Sequence, residues 1–409
     1  MPLLAVRPQC RHSTGSSSGG VLHGVGSAAG GAAGGVRASA AGAAADAVSG
    51  SPILAGLQQA FQLTMVAHPD GSSAPHSAAS AAADGPLSPS GSVGIGVGTW
   101  AWGNQFLWGY QPEQDATLQA SFEQAVALGL HFFDTADSYG TGRFNGRSEE
   151  LLGRFAAALP PEQRQRLCIA TKLAPFPWRL GRSGYRRAFA ASQQRLQGQL
   201  RRVQLHWSTA RYAPWQEGPL LDGLADLVQE GAVAELGLSN VGPQRLHLLH
   251  RRLADRGVAI RSLQVQCSLL APQPVQPGGV AHVCRELGIE LIAYSPLALG
   301  LLGRPDDQPE AQLAAPRRTL FRRLGPQLGP LRAAMVAIAQ EHQASLAAVA
   351  LNWCRAHGAM PIPGLRTPAQ VTDAAAALRW QLTAAERTEL DALAGRLERR
   401  MPANPFQSA

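Results

Sequence analysis

The chain has 409 residues, 45% of them hydrophobic and 16% charged, and its 36 Lys and Arg against 28 Asp and Glu give a formal charge of +8. That length suits one large domain or two ordinary ones. No run of about eighteen apolar residues offers a membrane-spanning helix, and five cysteines with no Cys-x-x-Cys pair exclude a disulfide scaffold and a cysteine-based zinc module.

Residues 1–90 are rich in Ala, Gly and Ser, and Arg7, Arg11 and Arg37 precede the first acidic residue, Asp46. A basic, Ser-rich, acid-poor leader has the composition of an organelle transit peptide followed by a disordered low-complexity segment. A plain disordered extension is the alternative. The more apolar stretch 52–67 reads as a short helix. Composition does not separate plastid from mitochondrion.

From residue 93 short apolar runs alternate with amphipathic segments. Strands are expected at 93–98, 131–136, 167–172, 203–206, 234–239, 262–267, 290–295 and 360–363, each apolar as in a strand covered on both faces. Helices are expected at 115–128, 148–158, 184–197, 219–230, 243–256, 280–287, 331–342 and 345–357. Eight strands alternating with helices indicate a single (β/α)8 barrel of the α/β class over 91–401, with a short tail at 402–409. A doubly wound open sheet is the alternative. Gly94, Gly96 and Gly98 make GxGxG rather than GxGxxG, so the segment reads as a tight first barrel strand and not as a dinucleotide fingerprint. The arginines are scattered, as in Arg186-Arg187, Arg201-Arg202 and Arg317-Arg318. They form no basic stripe interleaved with aromatics, and nucleic acid is not an expected partner.

In such a barrel, catalytic side chains stand at the C-terminal strand ends. In order, those ends carry Asp134 with Tyr139 close behind (FDTADSYG), Lys172 (IATK), His206 (QLHW), Ser239 and Asn240 (GLSN), Gln264, Tyr294 and Ser295 (AYSPL), and Gly364 with Arg366 (PIPGLR). A lone Asp or Lys in such a place is usually half of a structural ion pair. Charged and polar groups at successive ends are harder to assign to packing, because burying them costs energy unless they pair. Tyr139 can give a proton, and Lys172 is expected to lower its pKa by favouring the phenolate. Asp134 would hold Lys172, and His206 could hydrogen-bond a carbonyl oxygen or relay a proton. The set contains no nucleophile–base pair, which argues against a hydrolase. It needs a hydride from elsewhere, which implies a nicotinamide cofactor.

FFDTADSYGTGRFNGRSEELLG, IATK, QLHW, GLSN, QVQ, AYSPL and PIPG together resemble the aldo-keto reductases over 93–400. The resemblance implies a barrel without a Rossmann domain, NADPH/NADP as cofactor, and Asp134, Tyr139, Lys172 and His206 as a catalytic tetrad. It places Gly98, Thr99 and Trp100 at the cofactor, with Ser239, Asn240 and Gln264 on the nicotinamide carboxamide and Tyr294 against the ring. Ser295, Leu297 and Gly300 would follow the pyrophosphate. Arg366, Thr367, Gln370 and Asp373 would meet the adenosine end, where the Arg366 fork suits a 2′-phosphate and favours NADPH over NADH.

The likeness extends to the loops GTWAWGNQFLWGYQ, DSYGTGRFNGRSE, QLHWSTARYAP and LFRRLGPQLGPL and to the ending NPFQ. These resemble a plant plastid branch of the family acting on vitamin B6. That implies reduction of pyridoxal to pyridoxine in the chloroplast stroma, with the mitochondrion as the alternative destination. Trp100, Trp102, Phe106 and Trp108 after the first strand, with Trp207, are the expected substrate contacts, since aromatics suit a flat pyridine ring. Two alternatives stay open: a broad reductase of reactive plastid aldehydes or ketones, and an NADPH-sensing non-catalytic subunit like the β-subunits of potassium channels. The expected partner is a small aldehyde, with no membrane and no metal, and the expected state is a monomer. His247 and His250 (HxxH) read as a solvated helix face.

Some segments depart from the family pattern. RLQGQLRRVQLHW is slightly short and carries Arg201-Arg202, which is expected to disturb the approach to His206. Asp373-Ala374 stands where an acid–Asn pair is usual, which is expected to weaken NADPH binding. The basic stretch 304–322 is expected to close over NADPH as a lid. Cys168, Cys267, Cys284 and Cys354 are expected to be inert fillers.

Overall fold

The structure is a computed structural model and describes residues 93–304 and 313–408. The leader, the short helix at 52–67 and residues 305–312 of the expected lid lie outside the described residues.

Eight strands pair in parallel in chain order. They are β1 (Val97–Gly98), β2 (Phe132–Asp134), β3 (Cys168–Leu173), β4 (Leu200–Leu205), β5 (Glu235–Ser239), β6 (Ile260–Gln266), β7 (Glu290–Tyr294) and β8 (Ala359–Ile362). The Gly96 and Gly98 amides donate to Pro361 O and Pro363 O at 3.0 and 2.9 Å, joining β8 back to β1. The expected barrel is therefore present and the open sheet is excluded. The glycines of the first strand are there for space. A Cβ at Gly96 would lie 2.6 Å from Phe132 Cδ1, and one at Gly98 would lie 2.8 Å from Ile362 O.

Between and after the strands run α1 (Asp115–Ala127), α2 (Arg147–Ala157), α3 (Gly181–Arg195), α4 (Pro214–Gln229), α5 (Pro243–Ala254), α6 (Val280–Glu286), α7 (Ala315–Leu324), α8 (Gly329–Glu341), α9 (Leu346–Ala356), α10 (Pro368–Ala376) and α11 (Ala384–Gly395). Each buries one stripe of its surface. In α2 this is Ser148, Leu151, Leu152 and Phe155, and in α5 it is Leu246, Leu249 and Leu253, at the three- and four-residue steps of a helix face. Sequence periodicity did not separate α7, α10 and α11 from loop. His247 and His250 on α5 are half-buried, and no group of three potential metal ligands occurs among the described residues. Among those residues, no helix is long and apolar enough to cross a membrane.

The expected strand at 203–206 begins earlier, at Leu200. Arg201 and Arg202, which count among the scattered arginines of the sequence, stand at its start, and Arg202 is fully buried. Its guanidinium reaches Glu235 at 2.6 Å and Glu290 at 3.1 Å and lies 5.4 Å from the Phe132 ring centroid. Arg201 pairs with Glu235, and Arg261 with Glu290. These charges come from the N-terminal ends of β4, β5, β6 and β7 and fill that end of the barrel. A buried guanidinium is tolerable only with such partners.

Register shifts where Ile169 faces Leu200 and Ala170 faces Arg202, and it is regular again at Lys172 opposite Gln204. The irregularity is absorbed near the start of β4. The His206 amide still donates to Leu173 O at 3.1 Å, so the expected disturbance of His206 does not reach it. The four cysteines among the described residues are buried, and burial pushes the Cys168 thiol up to about 12.

Candidate active site

Strand periodicity carries side chains from the charged N-terminal end to the opposite rim in steps of two. Phe132 leads to Asp134, Ala170 to Lys172, Gln204 to His206, Gly237 to Ser239, Ser262 to Gln264, and Ile292 to Tyr294. The last residue of each pair faces a cavity of about 850 Å³.

At its base, Lys172 Nζ donates to Asp134 Oδ2 at 2.5 Å and to Thr135 O at 2.9 Å. Asp134 Oδ1 accepts from Gln264 Nε2 at 2.7 Å and Gln204 Nε2 at 3.1 Å. Four strands thus converge on one buried carboxylate. Burial lowers the Lys172 pKa, and Asp134 opposes that shift. His206 is held neutral, well below 6.5, by burial and then by the charges of Lys172 and Arg179. Its Nδ1 is buried without a hydrogen-bond partner.

Tyr139 stands over this group, its ring centroid 6.0 Å from that of His206 and 4.9 Å from Lys172 Nζ. Its pKa lies well above 10.0, because burial and then the negative charge of Asp134 disfavour the phenolate. The expected lowering by Lys172 is therefore corrected. The ammonium lies against the ring and spends its hydrogen bonds on Asp134 and Thr135. Asp137, ion-paired to Arg179 and accepting from the Ala174 amide, adds further negative charge near the phenol.

On the far wall, Asn240 and Ser295 take left-handed backbone, with φ of 58° and 51°. This conformation is uncommon for residues other than glycine, and at a cavity it marks stored strain. Asn240 Nδ2 donates to His206 O at 3.0 Å, and the Tyr294 hydroxyl donates to Asn240 Oδ1 at 2.9 Å. Ser295, Leu297 and Gly300 continue this wall to a cationic end where Arg304, Arg317 and Arg366 enter the same cavity. The Arg317 and Arg366 guanidiniums lie 4.2 and 5.2 Å from the Trp108 ring centroid. Burial, then Arg366 and Arg304, bring the Arg317 pKa down to about 10. Such a cluster stabilises an anion and is relieved by one. Gln370 and Asp373 line this end, and Asp373 Oδ2 accepts from Ser345 Oγ at 2.8 Å.

Gly98, Trp100, Trp108 and Gly364 also line the cavity, whereas five expected contacts do not. Thr99 is buried behind the rim, donating to Asp134 O at 2.8 Å. Thr367 caps α10 by accepting from the Gln370 amide. Trp102 is buried with its Nε1 on Leu365 O at 3.1 Å. Phe106 sits in the single turn Gln105–Trp108, away from the cavity wall. Trp207 lies under Phe406, ring centroids 4.5 Å apart, with its Nε1 donating to the Tyr212 hydroxyl. In Thr99, Trp102 and Trp207 a hydroxyl or indole donor has found a partner outside the cavity.

Gln204 was not singled out in the sequence, Arg317 was covered only by the lid expected over NADPH, and Asn404 only by the ending NPFQ. Gln204 carried a usable signal, being two residues before His206 and therefore on the same strand face. Arg317 and Asn404 reach the cavity from segments whose placement only the fold decides.

The aldo/keto reductase family model matches residues 94–394. The chain is 46% identical over 328 residues to the chloroplastic pyridoxal reductase of Arabidopsis thaliana, covering 79% of this chain and 88% of that protein. It is 30% identical to 6-dehydroglucose reductase of Novosphingobium aromaticivorans, covering 73% of this chain and 93% of that one. Among solved structures, an aldo-keto reductase from Klebsiella pneumoniae in complex with NADPH superposes with a TM-score of 0.57 at 26% identity, over 76% of this chain and 94% of that chain. The chain belongs to the aldo/keto reductase family.

Proposed function

We propose that this protein reduces pyridoxal to pyridoxine with NADPH, with Tyr139 as the proton donor. One observation carries this. A protonated phenol, a buried Lys–Asp pair and a neutral imidazole meet at one end of a cavity whose other end is cationic.

The residues present fit the cofactor. Ser239, Asn240 and Gln264 offer hydroxyl and amide groups to the nicotinamide carboxamide, and Tyr294 offers a ring face. Ser295, Leu297 and Gly300 would follow the pyrophosphate. Arg366, with Arg317 beside it, would take the 2′-phosphate, and Gln370 and Asp373 would flank the adenosine. NADPH, when bound, supplies the hydride.

Tyr139 holds its proton at neutral pH and delivers it to the carbonyl oxygen as negative charge develops there. His206, neutral and facing the cavity, hydrogen-bonds that oxygen and orients the carbonyl. Lys172, kept charged by Asp134, stabilises the phenolate that Tyr139 becomes. The carbonyl gains one hydride and one proton and leaves as the alcohol.

Pyridoxal as the substrate is supported by the likeness to the Arabidopsis enzyme and by an aromatic wall. Trp100 and Trp108 meet edge to face at 6.4 Å, and Trp100 is 6.5 Å from the Tyr139 ring. A flat heteroaromatic aldehyde suits such a wall. The plastid stroma as location rests on the same relative, and we take the protein to act as a monomer on a free small molecule.

The test follows NADPH oxidation by the purified full-length protein with pyridoxal, pyridoxal 5′-phosphate and simple aliphatic aldehydes. Preference for pyridoxal, lost in Tyr139→Phe, supports the proposal. Equal or faster turnover of simple aldehydes keeps the chemistry and replaces the substrate. NADPH binding without turnover of any aldehyde makes the chain a cofactor-binding subunit.

A further inference from the structure

The last described residues return to the cavity. The Met401 amide donates to Leu270 O at 2.9 Å, and from there Pro402, Ala403, Asn404 and Pro405 run along the cavity mouth. Phe406 stacks on Trp207, and Ser408 docks behind, its amide donating to Asn240 O at 3.1 Å. Its hydroxyl accepts from the Gly242 amide at 3.4 Å. The segment is therefore tied down on both sides of Asn404.

Asn404 makes the central contact. Its Nδ2 donates to Asn240 Oδ1 at 3.0 Å and to the Tyr294 hydroxyl oxygen at 2.9 Å. Tyr294 in turn donates to Asn240 Oδ1, so three side chains from three segments close a triangle. The polarity of this triangle is set from outside it. The Phe406 amide can only donate, and it donates to Asn404 Oδ1 at 2.9 Å, which turns the Asn404 amino group toward Asn240. At the other side, His206 O can only accept, and it takes Asn240 Nδ2. Asn240 is thus held with its oxygen to the tail and its amino group toward Ser239 and the rim. Its left-handed backbone is held at the amide by Gln264 O and at the carbonyl by the Ser408 amide.

We propose that residues 402–408 form a strap over the nicotinamide end of the site, and that Asn404 is a positioning residue for Asn240 and Tyr294. This rests on the placement of the nicotinamide at Asn240 and Tyr294 given above. Asn404 acts through those two side chains and at one end of the cavity only. The phosphate-binding arginines lie at the other end, so the strap governs the nicotinamide and not the adenosine half of the cofactor.

The test compares two probes on the full-length protein by tryptophan-fluorescence titration: NADPH, and 2′,5′-ADP, which carries the adenosine phosphates but no nicotinamide. Asn404→Ala and the similarly sized, apolar Asn404→Leu should raise the NADPH dissociation constant about five- to tenfold, the effect of losing hydrogen bonds of ordinary strength. Both should leave 2′,5′-ADP unchanged. Asn240→Ala should weaken NADPH selectively, and adding Asn404→Ala to it should cost little more, because the two act as one unit. Unchanged NADPH affinity in both Asn404 variants, with Asn240→Ala impaired, overturns the strap alone. Equal weakening of NADPH and 2′,5′-ADP by the Asn404 variants also overturns it, since that marks general loosening. An Asn240→Ala protein that binds NADPH normally overturns the nicotinamide placement, and the strap with it.

Discussion

Lys172 Nζ lies 4.9 Å from the centroid of the Tyr139 ring and 2.5 Å from Asp134 Oδ2. The cation is held by the carboxylate and shared with the face of the ring. Before reaction this arrangement leaves the phenol protonated, and it places a positive charge beside the ring when the proton departs. Removal of the hydroxyl alone should therefore abolish chemistry without disturbing the cofactor. Tyr139→Phe is expected to lose about 10²- to 10⁴-fold in kcat, the usual worth of a positioned acid. Its NADPH affinity, measured by fluorescence titration, should stay at the wild-type value.

The same geometry fixes the pH dependence. Tyr139 is raised above 10.0 and so stays protonated below that pH, while His206 is depressed below 6.5 and so stays neutral above it. Carbonyl reduction needs the protonated phenol and the neutral imidazole, so kcat/KM should be flat across the whole range between these two values, with any fall lying beyond them on either side. Alcohol oxidation needs the phenolate, and its rate should climb with pH across that range. A reductive profile breaking near pH 8 would mean that a different group donates the proton.

Asp134 accepts from Lys172, Gln204 and Gln264 inside the barrel. Lys172→Met leaves that carboxylate buried and without its cation. Breaking a buried pair in this way costs about 3–5 kcal/mol. Urea unfolding should show that loss, and activity should vanish with it. Lys172→Met with Asp134→Asn should recover much of the stability and none of the activity.

At the cationic end, Arg366 is tied to Trp108 O only at 3.5 Å and has its pKa lowered by burial. Arg366→Leu should weaken NADPH about ten- to a hundredfold, the range for hydrogen bonds to a charged group, and should leave NADH unaffected. Paired NADPH and NADH titrations check this. Equal losses for both would place the 2′-phosphate elsewhere.

Arg202 offers a control remote from the chemistry. Arg202→Leu leaves Glu235 and Glu290 without their buried partner. Glu235 keeps Arg201 and Glu290 keeps Arg261, so denaturant titrations should show a loss below about 3–5 kcal/mol, the cost of an uncompensated buried charge. Turnover per folded molecule should be preserved, because the regular register from Lys172–Gln204 onward keeps His206 in place.

The barrel and its candidate rim were legible because both follow from local regularities. Apolar runs mark strands, and a residue's distance from a strand end tells whether it reaches the rim. Other features depended on partners distant in the chain. Arg202 looks solvent-facing until Glu235 and Glu290 are brought beside it. Trp102 and Trp207 resemble substrate contacts until Leu365 O and Tyr212 take their indole donors. The direction of the Tyr139 shift depends on whether Lys172 reaches the hydroxyl or the ring, which spacing in sequence does not specify. Asn404 lies in a tail with no periodicity, and its target is 164 residues away.

The charged cluster around Arg202 also bears on the order of traffic in the proposed reaction. Among the described residues, Arg202, Glu235 and Glu290 occupy that end of the barrel, and the cavity is lined from the opposite rim. The proposed nicotinamide site at Tyr294 and the proposed aldehyde site at Trp100 share that cavity. A dinucleotide seated beneath the aldehyde would have to arrive first and depart last, the alcohol leaving before the spent carrier is exchanged. Product-inhibition patterns would register this as a compulsory sequence, with NADP competing against NADPH and pyridoxine failing to do so.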